Sequence, residues 1–370
     1  MDNRERFKAI MSFKNVDRYL NNELALWEQT SKRWVCEGLS NKIDCDLLTN
    51  GNKYLDLDVH KVLDLKILEP YPFREIEILN EDNRYCVFID ELGSKRKALK
   101  FNNSLSEWRT MDQYLGFPVK DRDSFNVWKK GFENHYSERY PSNWEEEKER
   151  FKKRNCPLLA PGVMKFGFYS MLRTWFGTEE LSYIFYDNPI LVEEMLDFLT
   201  EYIINVLDKA LKEVEIDWFL YWEDMAYKTG PLISPKMVKK YFVPRYRKIN
   251  EYLMGNGISM IFLDSDGNIN DLIPLFIESG INGIIPIEVN ASMDIVSLRK
   301  EYKDLLLIGG IDKLALVKGK EAIENEIYNK VDPIIDKGGF IPTIDHAIPP
   351  DVPLENFLYY LKLKRKILGY

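Results

Sequence analysis

The second half of the chain alternates short apolar runs with longer segments of helical spacing. From Cys156 onward, each run of β-branched or aromatic residues precedes a stretch whose apolar positions recur every three to four residues. The predicted strands are Pro157–Ala160, Trp218–Trp222, Ser259–Leu263, Gly283–Ile287, Leu305–Ile308 and Phe340–Ile344. The amphipathic segments are Pro189–Val214, Pro235–Gly255, Asn270–Gly280, Lys320–Lys337 and Leu354–Leu368. Repeated βα units of this kind predict an α/β fold with a parallel sheet, and we expect a (β/α)₈ TIM barrel.

The first 155 residues are less regular and rich in aromatic side chains. They predict an opening helix at Asn3–Ser12 and strands near Glu75–Leu79 and Tyr85–Asp90. Part of this region is expected to supply the remaining strands of the barrel. The segment Asp121–Arg154 is predicted to be a helical insertion. We therefore expect the whole chain to be one domain, a barrel with an N-terminal extension and this insertion.

Composition and charge narrow the class of protein. The chain has 370 residues, of which 45% are hydrophobic and 30% charged, as is usual for a folded globular protein. Its net charge of −8 gives no electrostatic reason to expect binding to nucleic acid or to an anionic membrane. The four cysteines are widely spaced, and there is neither a leader pattern nor a long apolar run, so we expect a cytoplasmic location.

Polar residues follow five of the predicted strands at the point where each strand ends. The residues that share this position are Glu223, Asp224, Asp264, Asp266, Glu288, Asp312, Asp345 and His346. The carboxyl ends of barrel strands form the active-site face, so these side chains are expected to meet at one opening. Each one alone could cap a helix or form a turn. Together they would repel one another unless their pKa values rise or a cation binds, so the set indicates a functional site.

A divalent metal ion is one way to balance this charge. Asp264 and Asp266 are two residues apart and, in extended backbone, point to the same side. With Glu223 and His346 they could present three oxygen ligands and one nitrogen ligand. His346 could equally be a proton donor or a hydrogen-bonded core residue. The other two histidines, His60 and His135, lie in polar surroundings and are expected at the surface.

Other sequence patterns add one candidate site residue and argue against several classes of enzyme. The aromatic and basic run between residues 165 and 177 either packs a helix on the barrel or forms a wall for a flat or apolar ligand, with Arg173 holding an anionic group. The chain lacks HExxH, GxSxG, GxxxxGK[ST] and GxGxxG motifs. This argues against metallopeptidases, serine hydrolases, P-loop NTPases and Rossmann dehydrogenases.

Several longer motifs carry a family resemblance. They are RERFKAIMSFKNVDR, WEDMAYKTGPLISPKM, LDSDGNINDLIPLFIESGINGIIPIE, GGIDKLAL and DHAIPPDVPLENF. These motifs resemble the uroporphyrinogen decarboxylase superfamily of TIM barrels. That superfamily also contains methyltransferases that move methyl groups between corrinoid proteins and thiol or other acceptors.

The methyltransferase branch implies a zinc site. Its ligands are a His-x-Cys pair before a glycine and a later Cys near a proline pair. The matching positions here are Asp264, Asp266 and His346, so both thiolates are absent. Carboxylate and imidazole ligands favour a harder ion or a weaker zinc site than thiolates do.

The decarboxylase branch implies an arginine-rich N-terminal loop that binds propionate groups, and a late histidine before a proline. The loop reads LWEQTSKR over residues 26–33 and lacks the expected arginine pair, whereas His346 matches. A substrate with many carboxylates would also face an acidic opening, which costs Coulomb energy.

We therefore expect an enzyme that transfers a methyl group between a corrinoid on a partner protein and a small molecule. Asp264, Asp266 and His346, with or without Glu223, would hold a divalent ion such as zinc or bind the substrate directly. The substrate's remaining polar groups would contact Arg173, Asp224, Glu288, Asp312 and Asp345. Two alternatives remain open: a metal-independent decarboxylase or lyase in which His346 and a carboxylate move protons, and a non-catalytic corrinoid- or ligand-binding barrel.

Overall fold

The computed structural model describes residues 1–51, 54–100 and 112–370. The strands of these ranges are β1 (Lys61–Val62), β2 (Glu77–Glu81), β3 (Tyr85–Ile89), β4 (Lys95–Leu99), β5 (Gln113–Gly116), β6 (Leu158–Ala160), β7 (Trp218–Trp222), β8 (Ala226–Tyr227), β9 (Gly230–Pro231), β10 (Ile261–Asp264), β11 (Gly283–Ile285), β12 (Leu306–Ile311) and β13 (Phe340–Ile344).

The α-helices of the same ranges are α1 (Asn3–Met11), α2 (Glu28–Cys36), α3 (Leu47–Asn50), α4 (Arg122–Trp128), α5 (Trp144–Lys152), α6 (Phe168–Phe176), α7 (Thr178–Asp187), α8 (Pro189–Glu213), α9 (Pro235–Met237), α10 (Val243–Gly255), α11 (Ile273–Glu278), α12 (Ile295–Glu301), α13 (Lys313–Lys318), α14 (Lys320–Glu326), α15 (Asp332–Ile335) and α16 (Leu354–Leu368). Single π-helical turns join α9 to α10 and α14 to α15.

One parallel sheet organises the molecule. Its hydrogen-bonded order is β1, β6, β7, β10, β11, β12, β13, with helices between successive strands. This confirms the predicted α/β fold and all six predicted strands, and β1 is a strand that the N-terminal region supplies. Within the described ranges the sheet has seven strands rather than the eight of a closed barrel. Beyond the end of β13, Leu26 forms a parallel bridge with Ile348.

The sheet strands bury both of their faces because successive side chains point to opposite sides. In β7, Phe219 and Tyr221 belong to a large apolar cluster that includes residues of α8 and α10. Trp218 and Leu220 belong to a second cluster, which we call the inner cluster, with Phe262 of β10 and side chains from β6, β11, β12 and β13. Residues of α1 also belong to the inner cluster. The sheet therefore curls around its inner face.

A separate antiparallel sheet of β2, β3, β4 and β5 follows β1 in the chain. It contains both strands that the N-terminal sequence predicted, with bounds within two residues, whereas β4 and β5 were not predicted. The segment predicted as a helical insertion contains α4 and α5. That the whole chain forms one domain stays a prediction.

The position of His60 differs from the sequence-based expectation. His60 is 1% exposed, not at the surface, and its ring lies 5.2 Å from that of Phe7 and 5.4 Å from that of Trp218. Burial lowers its pKa to about 4. Its polar sequence neighbours concealed that it directly precedes β1 and turns inward. His135 is partly exposed beside Tyr71.

Among the described residues, none of the helices combines the length and apolar composition needed to cross a membrane.

Candidate functional site

His346 and Asp266 form a hydrogen-bonded pair where β13 and β10 end. The Nε2 atom of His346 lies 3.2 Å from Oδ2 of Asp266. The backbone N–H of Ala347 donates to Nδ1 of His346 at 2.7 Å, so the proton of the neutral ring sits on Nε2 and points at Asp266. The two side chains are 39% and 45% exposed, so a ligand can reach them.

Each member of this pair changes the pKa of the other. The hydrogen bond to Asp266, aided by the carboxylate charge, raises the pKa of His346. Burial by itself would raise the pKa of Asp266, but the hydrogen bond from His346 and the positive charges of Lys313 and Arg173 lower it overall. The pair therefore combines a carboxylate that favours its anion with an imidazole whose charged form that anion stabilises.

Asp224 and Asp264 lie beside this pair with different partners. Asp224 accepts hydrogen bonds from Arg173 at 3.2 Å and from the indole N–H of Trp222 at 3.0 Å. In the part of the chain that the structure describes, no side chain or backbone group donates to the Asp264 carboxylate. Burial, together with the nearby charges of Asp224 and Asp266, raises the pKa of Asp264 well above its ordinary value. Asp264 is therefore the carboxyl group of the site that best retains a proton.

Lys313 balances the acids on the other side of the pair. Its Nζ lies 3.4 and 3.5 Å from the two carboxylate oxygens of Asp345 and 3.6 Å from Oε1 of Glu288. Asp345 is fully buried, which raises its pKa, and it also accepts the N–H of Val289 at 2.9 Å. Lys313 was not predicted as a site residue, although a basic residue directly after a strand end among acids was a usable signal.

We call six of these side chains the strand-end cluster: Asp224, Asp264, Asp266, Glu288, Asp345 and His346. The structure thus brings together most of the residues that the sequence predicted at this opening. In the described ranges, Arg173 and Lys313 are the lysine and arginine side chains that form ion pairs with the cluster.

Glu223 does not join the cluster. Its carboxylate is fully buried at the N-terminus of α6, where it accepts the N–H groups of Phe168 at 2.7 Å and Tyr169 at 2.6 Å, and the hydroxyl of Tyr246. Burial raises its pKa to about 7 even though these hydrogen bonds favour the anion. Glu223 thus binds the first N–H groups of the helix that carries Arg173. Tyr246, its partner, was not predicted.

Asp312 and Arg173 are the remaining predicted ligand contacts. Asp312 accepts the backbone N–H of Leu314 at 2.8 Å and so caps α13, which is the helix-capping alternative for a strand-end acid. Arg173 does lie at the opening, paired with Asp224, with its guanidinium carbon 5.8 Å from the centre of the Trp222 ring.

Two glycines allow the backbone to follow the path that the site requires. Gly267 has φ +84°, and a Cβ there would lie 2.7 Å from the carbonyl group of Ala226. Gly309 has φ +117°, and a Cβ there would lie 1.7 Å from the carbonyl oxygen of Pro286. A larger residue at either position would push apart the strand ends that carry Asp266 and Glu288.

The arrangement of donors does not fit the zinc site that the methyltransferase branch implies. Within the described ranges, no group of three His, Cys, Asp or Glu side chains is arranged to hold a metal ion. Both ring nitrogens of His346 are already hydrogen-bonded, to Ala347 and to Asp266. A metal ion would have to displace one of these bonds, so we assign no chemical step to a metal.

Comparison with solved structures agrees with the fold. A methyltransferase from Methanosarcina mazei aligns with a TM-score of 0.63 over 99% of this chain and 98% of its own, at 16% sequence identity. At this identity the likeness establishes the fold and not the activity.

Sequence comparison gives the family. Relatives named uroporphyrinogen decarboxylase, from Hydrogenobaculum sp. (strain Y04AAS1) and Rickettsia africae (strain ESF-5), are 25% and 26% identical over 183 and 190 residues. These matches cover 49% of this chain and 49% and 50% of the relatives, so the chain spans about half the length of the relatives that it matches. The family model for uroporphyrinogen decarboxylase (URO-D) matches residues 166–367, which include the whole strand-end cluster. Since this match covers more than half of the chain, the protein belongs to the uroporphyrinogen decarboxylase family.

Proposed function

We propose that this protein is a methyltransferase-like enzyme of its superfamily. It would move a methyl group between a corrinoid carried by a partner protein and a small molecule bound at the strand-end cluster. Family membership and the whole-length likeness to a protein described as a methyltransferase support this proposal. The relatives named decarboxylase leave the choice of reaction to the chemistry of the site.

The negative charge of the site is the observation that favours methyl transfer over decarboxylation of a substrate with many carboxylates. Five carboxyl groups contribute to the cluster, and Asp264 is the one that best retains its proton. Among the described residues, Arg173 lies 3.2 Å from Asp224, and Lys313 lies within 3.6 Å of Asp345 and Glu288, so both cations are already paired. A substrate with many carboxylates would bring like charge to an acidic opening. A neutral or cationic methyl donor or acceptor would avoid that repulsion.

The residues of the cluster supply the proton handling that methyl transfer needs. A neutral oxygen, nitrogen or sulfur donor that loses a methyl group leaves an anion that takes up a proton, whereas a quaternary ammonium or sulfonium donor leaves a neutral product and needs none. A hydroxyl, thiol or N–H acceptor that gains a methyl group gives up its proton. Asp264 can donate a proton, and the Asp266–His346 pair can accept one when Nδ1 of His346 gives up its hydrogen bond from Ala347. The corrinoid, when bound, supplies or takes the methyl group itself.

Exposed apolar side chains in the segments that follow β6 and β7 favour a large apolar ligand or a protein partner at this opening. Met164 is 53% exposed, Tyr227 61% and Leu232 44%. Because these segments follow the carboxyl ends of their strands, they border the cluster.

Methyl transfer is tested by incubating the protein with methylcobalamin and candidate acceptors, and with reduced cobalamin and candidate methyl donors, while recording the absorption spectrum. We expect a spectral change with at least one small molecule and a loss of about 100-fold in its rate in Asp266→Asn. Asp304→Asn is the control, because Asp304 is exposed and precedes β12 at the opposite end of the strand. A rate in Asp266→Asn equal to that of the control would overturn the assignment of the site.

Decarboxylation is the second candidate, favoured by the names of the relatives and by the matching position of His346. It predicts release of carbon dioxide from uroporphyrinogen and loss of that release in His346→Gln. Carbon dioxide release without any cobalamin spectral change would replace our proposal with this one.

A further inference from the structure

The N-terminal part of the chain forms hydrogen bonds with the loop that carries His346. We call residues 23–37 the N-terminal clamp. Before His346, the carboxylate of Glu23 accepts the backbone N–H of Ile344 at 3.0 Å. After His346, the N–H of Ile348 donates to the carbonyl oxygen of Ala25 at 2.9 Å. The clamp thus holds the backbone two residues before and two residues after the histidine.

The clamp adds further bonds on the far side of His346. The carbonyl oxygen of Ile348 accepts the N–H of Trp27 at 3.1 Å and the hydroxyl of Thr30 at 2.8 Å. Thr30 is fully buried, so its hydroxyl has no competing water partner. The indole N–H of Trp34 donates to the carbonyl oxygen of Val352 at 2.9 Å, which extends the contact along the loop.

A buried ion pair fixes Glu23 itself. Its carboxylate lies 2.5 Å from Nζ of Lys364 and accepts the hydroxyl of Tyr360 at 2.7 Å. Glu23, Lys364 and Tyr360 are all fully buried, and Lys364 also donates to the carbonyl oxygen of Asn22 at 2.8 Å. A buried carboxylate with this many partners has one orientation, since leaving any of them unpaired is costly. Helix α16 therefore fixes the position of Glu23, the first residue of the clamp.

We propose that Glu23 and Thr30 are positioning residues that set the geometry between His346 and Asp266. A hydrogen bond weakens steeply with distance and angle, so a ring held at 3.2 Å from its partner needs a fixed backbone. The clamp holds the backbone around His346 in place, although none of its own side chains belongs to the strand-end cluster. The importance of this geometry for catalysis rests on the proposed function, whereas the geometry itself does not.

The test uses the ring nitrogens of His346 as a spectroscopic signal. The chain has three histidines, so a protein labelled with ¹⁵N-histidine gives few ring signals, and His346→Gln identifies the relevant ones. In the unaltered protein we expect the Nε2–H tautomer, because Nδ1 accepts the N–H of Ala347. In Thr30→Val we expect the tautomer ratio to change by roughly two-fold or more as the loop relaxes.

Thr200→Val is the matched control. Thr200 is also buried and its hydroxyl also donates to a backbone carbonyl, that of Leu196 at 2.8 Å, but it lies within α8. We expect this variant to show the unaltered tautomer signal. Equal signals from His346 in Thr30→Val and Thr200→Val would overturn the proposal.

Glu23→Gln tests, in the same way, the contact that the clamp makes before His346. We expect a larger change in tautomer ratio than in Thr30→Val, because the Ile344 contact and the anchor to Lys364 are both altered. If this variant does not fold, the Thr30→Val comparison still decides the matter. The measurement needs no methyl donor, so absence of methyl transfer would refute the proposed function without affecting this result.

Discussion

Nε2 of His346 and Oδ2 of Asp266 lie 3.2 Å apart, although two strands separate β13 from β10 in the sheet. At a spacing of about 4.8 Å per strand, three steps across a flat sheet would place these strand ends roughly 14 Å apart. The short contact therefore depends on the curl of the sheet around the inner cluster. Strand order and sheet curvature together create a site from residues 80 positions apart in the chain.

We predict that Asp264 acts as a proton donor and that its burial lowers the free energy of unfolding near neutral pH. Its pKa is raised by burial and by the charges of Asp224 and Asp266, so the folded state holds the proton above the pH at which the unfolded chain releases it. The contribution of Asp264 to the free energy of unfolding therefore falls as the pH rises above the pKa that this carboxyl has in the unfolded chain. We expect Asp264→Asn to be more stable than the unaltered protein at pH 7 and about 100-fold slower in methyl transfer.

Urea unfolding at pH 7 and at pH 4 measures the first effect. The gain in free energy of unfolding should be larger at pH 7, and Asp304→Asn should show no such difference. A variant that is less stable at pH 7 yet fully active would contradict the assignment of Asp264.

Lys313 is predicted to stabilise the fold as well as the site. Without its ammonium group, the buried carboxylate of Asp345 and the nearby Glu288 lose their cation. We expect Lys313→Met to lower the free energy of unfolding by about 2 kcal/mol. Adding Asp345→Asn should restore part of this loss, and a double-mutant cycle of urea unfolding measures the coupling. Purely additive effects of the two substitutions would show that the pair does not interact.

The sequence predicted the elements whose pattern is local. Apolar runs defined the sheet strands, and the rule that barrel chemistry lies at strand carboxyl ends placed Asp266 and His346 at one opening. The sequence grouped Glu223 with the other strand-end acids, whereas its carboxylate accepts the first N–H groups of α6. Asp224, the next residue, has φ +37°, and a single-residue turn of this kind has no periodic sequence pattern that would predict it. The contact of Glu23 with Ile344 spans 321 residues, and no local pattern could have revealed it.

His60 is predicted to make the protein sensitive to acid. Its pKa is lowered to about 4 by burial, despite the opposing charges of Asp217 and Asp58, whereas the unfolded chain titrates near 6.5. Between these values the unfolded state binds more protons, so stability falls as the pH drops from 6.5 toward 4. The loss should reach about 3 kcal/mol.

The check compares free energies of unfolding at pH 7 and pH 4.5 for the unaltered protein, His60→Phe and His135→Gln. We expect a smaller loss in His60→Phe, and the unaltered loss in His135→Gln, because His135 is partly exposed. Equal losses in all three proteins would show that His60 is not the group responsible.

The hydrogen bonds of His346 predict a low metal content. Its Nδ1 accepts from Ala347 and its Nε2 faces Asp266, so binding a divalent ion through this ring would require breaking one of these contacts. We expect elemental analysis of protein purified without chelator or metal-affinity resin to give well under one zinc or other divalent ion per chain. The Asp264→Ala/His346→Ala variant should give the same value. About one ion per chain, lost in this variant, would instead show that the pair rearranges to bind metal and would make metal-assisted methyl transfer the leading mechanism.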